Sequence, residues 1–175
     1  MSYMRLILNA SAIILCSPTT RQYLVNYART LIYTTALPSA SLLGIQTVYD
    51  FLSKGSAEPL KQHLMQLISI THDLLKSVCA AYPHLLQTPE EAPMSPILPV
   101  FTPNSRQLAQ FCQENGFMVR PIVPPTVPRG GERIRICLHA SNTIQEVEAL
   151  VELISKWAAS QSEIKVQKQM AKPRL

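Results

Sequence analysis

Arg133 and Arg135 stand two positions apart in the alternating segment RIRICLH, directly after the proline- and glycine-rich run VPPTVPRGG. The alternation puts both guanidinium groups on one face of a strand. A guanidinium is planar, permanently charged and forked, so it grips a carboxylate through two parallel hydrogen bonds. A strand holds such a side chain in place better than a loop does, and prolines restrict the turn that precedes it. The alternative is an edge strand whose arginines are simply solvated. The second candidate is the adjacent hydroxyl pair Thr34-Thr35 in IYTTALP. Hydroxyls are neutral donors suited to a phosphate. The competing reading is two β-branched residues packing in a short extended segment.

Other chemistries find little support. No GxGxxG or GxxxxGK[ST] cradle occurs, and the whole chain has 5 glycines against 14 prolines,. Cys16, Cys79, Cys112 and Cys137 are far apart and lie among apolar or helical residues. They read as buried free thiols. His63, His72, His84 and His139 have no metal-ligand spacing with any of them,. The net charge is +5, but the basic residues form no stripe with interleaved aromatics, which argues against nucleic acid. The densest run, Lys165, Lys168, Lys172 and Arg174, reads as a solvated tail,. The apolar run 6–16 has one basic residue before it, lacks a clear cleavage site and is too short to span a bilayer,. No membrane association is expected.

The elements that must position the candidates follow from local signals. Residues 10–16, ASAIILC, are continuously apolar and read as a buried strand,. Ser17 is an N-cap and Pro18 a first-turn proline, opening a helix to about residue 28,. Residues 31–35 read as a brief extended segment,. Pro38 opens a helix to about residue 52, and Gly55-Ser56 breaks it,. The apolar spacing of Leu60, Leu64, Leu67, Ile68, Leu74, Leu75 and Val78 predicts an amphipathic helix over 58–81,. A proline-rich loop spans 82–96. Then come a strand at 97–101, a helix at 105–115 with Gly116 at its end, and strands at 117–123 and 133–139,. A closing helix runs from 143 to 157, with Thr143 and Glu146 as a capping box,.

Three segments in order carry a resemblance: NYARTLIYTTALPSA (26–40), SPILPVF (95–101) and VRPIVPPTVPRGGERIRICLHASNTIQEVEALVELI (119–154). Together they resemble the C-terminal part of the α-oxoamine synthases. Members of that family are pyridoxal-phosphate enzymes that join an amino acid to an acyl-CoA with loss of carbon dioxide. Within it the likeness is to the biotin-biosynthesis branch, which condenses L-alanine with pimeloyl-CoA; a relative using glycine or serine is the alternative. The resemblance implies an α/β fold, the C-terminal part of a fold-type-I transferase. Residues 1–54 would be a remnant of the cofactor-binding large domain, 55–160 a complete small domain and 161–175 a basic tail. It also implies that Arg135 binds the substrate carboxylate and that Thr126, in the PPTVP turn, contacts substrate. Thr34 and Thr35 would approach the cofactor phosphate across the interface of a homodimer.

The family's Schiff-base lysine would fall near Arg5, and arginine cannot supply an imine,. Lys54, after a helix, and Lys61 and Lys76, on the amphipathic helix, read as surface charges rather than replacements,. The sequence is therefore expected to be a fragment without autonomous catalysis, or else a non-catalytic partner subunit. Its end, Pro173-Arg174-Leu175, has the small–basic–leucine form of a peroxisomal address,. The peroxisome, or otherwise the cytoplasm, is the expected location.

Overall fold

The computed structural model describes residues 14–170, with side chains through residue 163. The chain divides into two compact units, Met1–Glu58 and Pro59–Leu175.

The first unit contains three helices: α1 (Pro18–Tyr27), α2 (Arg29–Ile32) and α3 (Ser39–Ser53). Ser17 caps α1, its Oγ accepting the Thr20 N–H at 3.2 Å, with Pro18 in the first turn where no N–H is needed,. Helix α3 starts after Pro38 and stops at Lys54, the C-cap, followed by Gly55 at φ +73. Glycine takes that left-handed conformation without a Cβ clash. Two sequence expectations change here. Leu31 and Ile32 belong to a helical turn, not to an extended segment, because the Ala28 carbonyl accepts from both of their N–H groups. Of the expected strand at 10–16, Ile14, Leu15 and Cys16 are exposed and outside any strand, and the rest lies outside the described residues. A continuously apolar run needs strand partners on both edges to become a buried strand, and the described residues offer none.

The second unit is built on α4 (Glu58–Ala81), β1 (Ile97–Phe101), α5 (Ser105–Glu114), β2 (Arg120–Ile122), β3 (Arg133–Cys137) and α6 (Ile144–Met170). The three strands form an antiparallel sheet in the order β1-β3-β2. Register sorts the two faces. Leu98 pairs with Ile136, and Val100 and Pro121 both pair with Ile134, making one apolar row. Leu98, Val100, Ile134 and Ile136 are all buried. They share one core with Leu67, Ile68 and Leu75 of α4, Leu108 and Cys112 of α5, and Leu150, Ile154 and Trp157 of α6. Burying such side chains contributes about 1.5–3 kcal/mol each, so this core dominates the unit's stability. The opposite face carries Pro99, Phe101, Arg120, Ile122, Arg133 and Arg135.

Histidines fix helix α4. Buried His72 donates from Nε2 to the Pro89 carbonyl at 2.8 Å, tying the helix to the proline-rich loop. His63 donates to the Asn142 carbonyl at 2.9 Å. Both are structural hydrogen bonds, and no group of three or more metal-ligating side chains occurs among the described residues. Helix α6 starts as the sequence predicts: the Thr143 N–H reaches Glu146 Oε2 at 2.9 Å, and the Glu146 N–H reaches Thr143 Oγ1 at 3.2 Å. It runs on to Met170, well past the expected end near residue 157, so part of the expected tail is helical backbone. Residues 158–170 contain no proline or glycine to stop the helix,. No described helix is long and apolar enough to cross a membrane.

The thiols are also sorted by position. Cys79 and Cys112 are buried, whereas Cys16 and Cys137 are exposed, against the expectation that all four lie inside. Cys137 falls on the same alternation as Arg133 and Arg135, which turns it away from the core,.

Candidate anion-binding site

The site begins with a turn that the sequence stiffens. Pro124-Pro125 is a cis peptide bond. The Thr126 N–H donates to the Val123 carbonyl at 3.1 Å, and the Gly131 N–H to the Pro128 carbonyl at 3.0 Å. Gly130 sits at φ +85, which a side chain would strain,. A Cβ at Gly131 would stand 3.2 Å from the Pro128 carbonyl oxygen, a tight approach that the turn would have to relieve by a few tenths of an ångström. It delivers the chain into β3, the central strand, and the ladder continues past β1 through the Thr102 N–H to the Glu132 carbonyl at 3.0 Å.

The two arginines of β3 are not equivalent. Arg133 is engaged: its Nε donates to the Gly131 carbonyl at 2.9 Å, and its guanidinium lies 4.6 Å from the centre of the Phe101 ring. It thus holds the turn against β1 through a hydrogen bond and a cation–π contact. Arg135 is half-buried, and its Nε is buried with no hydrogen-bond partner among the described residues. An orphaned buried donor on a cation costs stability unless something accepts from it. The cross-strand neighbours of Arg135 are Pro99, which offers no side-chain acceptor, and Arg120, another cation. The open partner that this arrangement calls for is an anion.

Arg120 and Arg135 line a cleft of about 480 Å³ where β2 ends short of β3, closed by residues before β2 and by the start of α6. Its lining includes Phe117, Met118, Val147, Leu150, His139 and Glu146. Glu146 is committed to the helix cap: hydrogen bonds from the Thr143 backbone and the Asn142 side chain hold its carboxyl below the usual carboxylate range. A second cleft, about 370 Å³, lies beside the turn and is lined by residues that include Asn104, Arg106, Val123, Pro124 and Glu132. Thr126 is exposed at the tip of the turn and lines neither cleft.

Thr34 and Thr35 belong to the first unit, in the turn between α2 and α3, and are exposed. Their hydroxyls have no hydrogen-bond partner among the described residues, so they are available to a phosphate but do not form a closed cradle. Neither cleft is lined by a lysine. Among the lysines, Lys54 ends α3, Lys76 pairs with Glu90 and Lys156 with Glu152. Among the described residues, the second unit offers an arginine suited to a carboxylate, and the first unit, taken by itself, exposes two hydroxyls of the kind that suit a phosphate,. The position near Arg5 lies outside the described residues. Sequence reasoning missed Arg120: nothing local signals that it stands directly opposite Arg135, because strand register is set by tertiary packing.

A profile of the family described as aminotransferase class I and II matches residues 10–154. The 8-amino-7-oxononanoate synthase of Emericella nidulans is 45% identical over 146 residues, covering 83% of this chain and 35% of its own. That of Yersinia enterocolitica is 34% identical over 145 residues, with coverage of 83% and 36%. The chain thus spans about a third of the length of these relatives. The solved 8-amino-7-oxononanoate synthase of Francisella tularensis superposes with a TM-score of 0.61 at 26% identity, over 83% of this chain and 41% of its own. The serine palmitoyltransferase of Sphingomonas wittichii gives 0.65 at 21% identity, over 86% and 36%, and shares the fold. Helices packed on a small antiparallel sheet are thus a portion of the α/β fold of pyridoxal-phosphate-dependent transferases. The chain belongs to the aminotransferase class I and II family and, within it, to the α-oxoamine synthases, whose cofactor is pyridoxal phosphate.

Proposed function

We propose that this chain is the carboxylate-binding portion of an 8-amino-7-oxononanoate-synthase-like acyltransferase of biotin biosynthesis, which condenses L-alanine with pimeloyl-CoA. The observation that carries the reading is the buried, unpartnered Nε of Arg135 on the central strand beside the PPTVP turn. The 45% identity to the Emericella synthase supports it. Pyridoxal phosphate, when bound, supplies the electron sink for bond breaking at the amino-acid α-carbon. The residues here do the positioning. Arg135 takes the alanine carboxylate in a bidentate grip and fixes the orientation of the α-carbon. Arg133, held by Phe101 and Gly131, keeps β3 and the turn in register. Thr126 contacts substrate from the turn, and Thr34 and Thr35 donate to the cofactor phosphate of the other subunit in a homodimer. On this reading the chain would not catalyse alone, because the family's lysine position falls near Arg5 in the sequence and arginine cannot form the imine,.

The test is a hybrid in which this chain replaces the matching region of the Emericella enzyme, assayed by alanine-dependent release of CoA from pimeloyl-CoA. Arg135→Lys keeps the charge but loses the fork, which costs about 1.5–3 kcal/mol. The apparent KM for alanine should rise about ten- to a hundredfold, whereas Arg133→Lys should act mainly on stability. Equal small effects on KM from both substitutions would remove Arg135 from this role.

We further propose a peroxisomal location, on the strength of the terminal Pro173-Arg174-Leu175,. A fluorescent protein carrying the last twelve residues at its C-terminus should become punctate, and deleting Leu175 should disperse it. Diffuse fluorescence from the intact fusion would leave the cytoplasm as the location.

A further inference from the structure

We propose that Asn115-Gly116 is a site of spontaneous covalent modification, held shut by the end of α5, and that conversion of Asn115 to isoaspartate loosens the segment 116–119 that leads into β2. The inference does not depend on the role of Arg135.

Of Asn9, Asn26, Asn104, Asn115 and Asn142, Asn115 is the one followed by glycine. A side chain on the following residue shields its backbone nitrogen. Gly116 has none, and a Cβ placed there would meet no atom within 4 Å, so the nitrogen is sterically open. Asn115 is exposed to the water that the reaction consumes. In the reaction the Gly116 nitrogen gives up its proton and bonds to Cγ of Asn115. The Cγ–Nδ2 bond breaks, and the amide departs as ammonia with that proton. Water then opens the five-membered imide at either carbonyl. One opening leaves aspartate; the other leaves isoaspartate, in which the backbone runs through the side-chain carbon.

The fold holds the reacting groups apart. Asn115 is the C-cap of α5, at φ −99 and ψ 18. At that ψ the Gly116 nitrogen points away from the Asn115 side chain, and ring closure requires rotation to a ψ that residues with a side chain seldom adopt. Both groups are also tied back. Asn115 Nδ2 donates to the Phe111 carbonyl at 2.9 Å, and the Gly116 N–H to the Gln113 carbonyl at 3.1 Å. The Phe117 N–H donates to the Cys112 carbonyl at 2.9 Å and Gln113 Nε2 to the Val119 carbonyl at 2.7 Å, which closes the turn. Reaction therefore proceeds from conformations in which the end of α5 has opened, and its rate follows the population of that open state.

Conversion keeps the turn from closing as before. A carboxylate cannot donate to the Phe111 carbonyl, and it puts negative charge at a helix C-terminus, where the dipole disfavours it. Isoaspartate also adds a carbon to the main chain within the span of these bonds. The segment they hold, from Gly116 to Val119, lines the cleft beside Arg120 and Arg135, so the wall that loosens belongs to that cleft.

The test follows the full chain by peptide mass, so self-association does not matter. The chain is kept at mildly alkaline pH, either folded in buffer or unfolded in guanidinium chloride, and then digested with trypsin. Asn115 is the one asparagine in peptide 107–129, and its conversion exchanges an amide NH2 for OH. Fragmentation places the change, and chromatography separates the aspartate and isoaspartate forms. The unfolded chain should convert steadily, and the folded chain at least about tenfold more slowly. Gln113→Ala removes the bond to the Val119 carbonyl from an exposed position. With circular dichroism confirming its fold, this variant should convert faster than the unaltered chain when folded and at the same rate when unfolded. Chain aged while folded and separated by ion exchange should show faster amide hydrogen exchange over 116–120 than the unconverted chain. No conversion of Asn115 in guanidinium chloride would remove the site. Equal rates in the folded and unfolded chain, or a Gln113→Ala variant with an unaltered folded rate, would overturn the gate. Unchanged hydrogen exchange over 116–120 in the converted chain would overturn the loosening.

Discussion

Position decides what each residue can do here, even between residues of the same type. Arg133 and Arg135 share a strand face, yet one is spent on Phe101 and the Gly131 carbonyl while the other keeps a buried donor open. The R-x-R spacing was legible in the sequence; which arginine is free was not, because it depends on the ring and carbonyl that tertiary packing brings beside each. The resemblance pointed to Arg135, and the open Nε is an independent reason to prefer it. The cysteines divide in the same way. Burial pushes the Cys79 and Cys112 thiols up to about 11, while Cys16 and Cys137 are exposed. Since the thiolate is the reactive form, a maleimide at mildly alkaline pH should label Cys16 and Cys137 quickly, and Cys79 and Cys112 only after unfolding. Labelling of all four at one rate in the folded chain, read by intact mass, would contradict the structure. The linkage has a sign. A buried thiol keeps its proton to higher pH than an unfolded one, so its contribution is intact below the ordinary value of 9.0 and lost as pH rises through about 11,.

At the scale of elements, local signals set where structure begins better than where it ends. Ser17-Pro18 and the Thr143–Glu146 box start their helices as the residues predict. Helix α4 has the bounds given by its apolar period, Glu58–Ala81. The β-branched run at 31–35 suggests an extended segment, but strand structure needs a partner, and partners are not written locally; of the apolar run 10–16 only residues 14–16 are described, and they lie outside any strand. The expected strand over 117–123 shrinks to Arg120–Ile122 because β2 is an edge strand, held only where it meets β3. That shortening opens the cleft beside Arg135. The cap of α6 supports one side of it and can be weighed. Thr143→Ala removes the bond to the Glu146 N–H and should cost about 1 kcal/mol, seen as a lower urea midpoint in the fluorescence of the single tryptophan, buried Trp157. The Glu146 carboxyl is held below its usual range by the Thr143 N–H and Asn142. Its share of stability is thus present above the ordinary glutamate value and lost as pH falls through the lowered one. An unchanged midpoint in Thr143→Ala would mean that the box contributes nothing to the helix.

On the scale of the whole molecule, the two units are unequal. The second has a continuous core from α4 to α6. In the first, Val48 is the one hydrophobic residue counted as buried among those described, while Leu15 is 93% exposed, Tyr33 84% and Tyr27 69%. Exposed apolar area on this scale marks a surface built to be covered, and the relatives, of which this chain spans about a third, show that much more protein belongs to the fold. Without that cover, copies of the chain should cover one another, so sedimentation velocity at tens of micromolar should find oligomers. The same reasoning locates the cause. Helices that bury little open easily, and trypsin should therefore cut first at Arg21, Arg29 and Lys54, leaving a protected fragment that starts at Gly55 and retains the core. If the first unit drives association, that fragment should sediment as a monomer. A fragment that still associates would shift the cause to the second unit, where Met94 and Met118 are exposed. An intact chain that is monomeric and resists trypsin at Arg21 and Arg29 would mean that its exposed helices are stable without any partner.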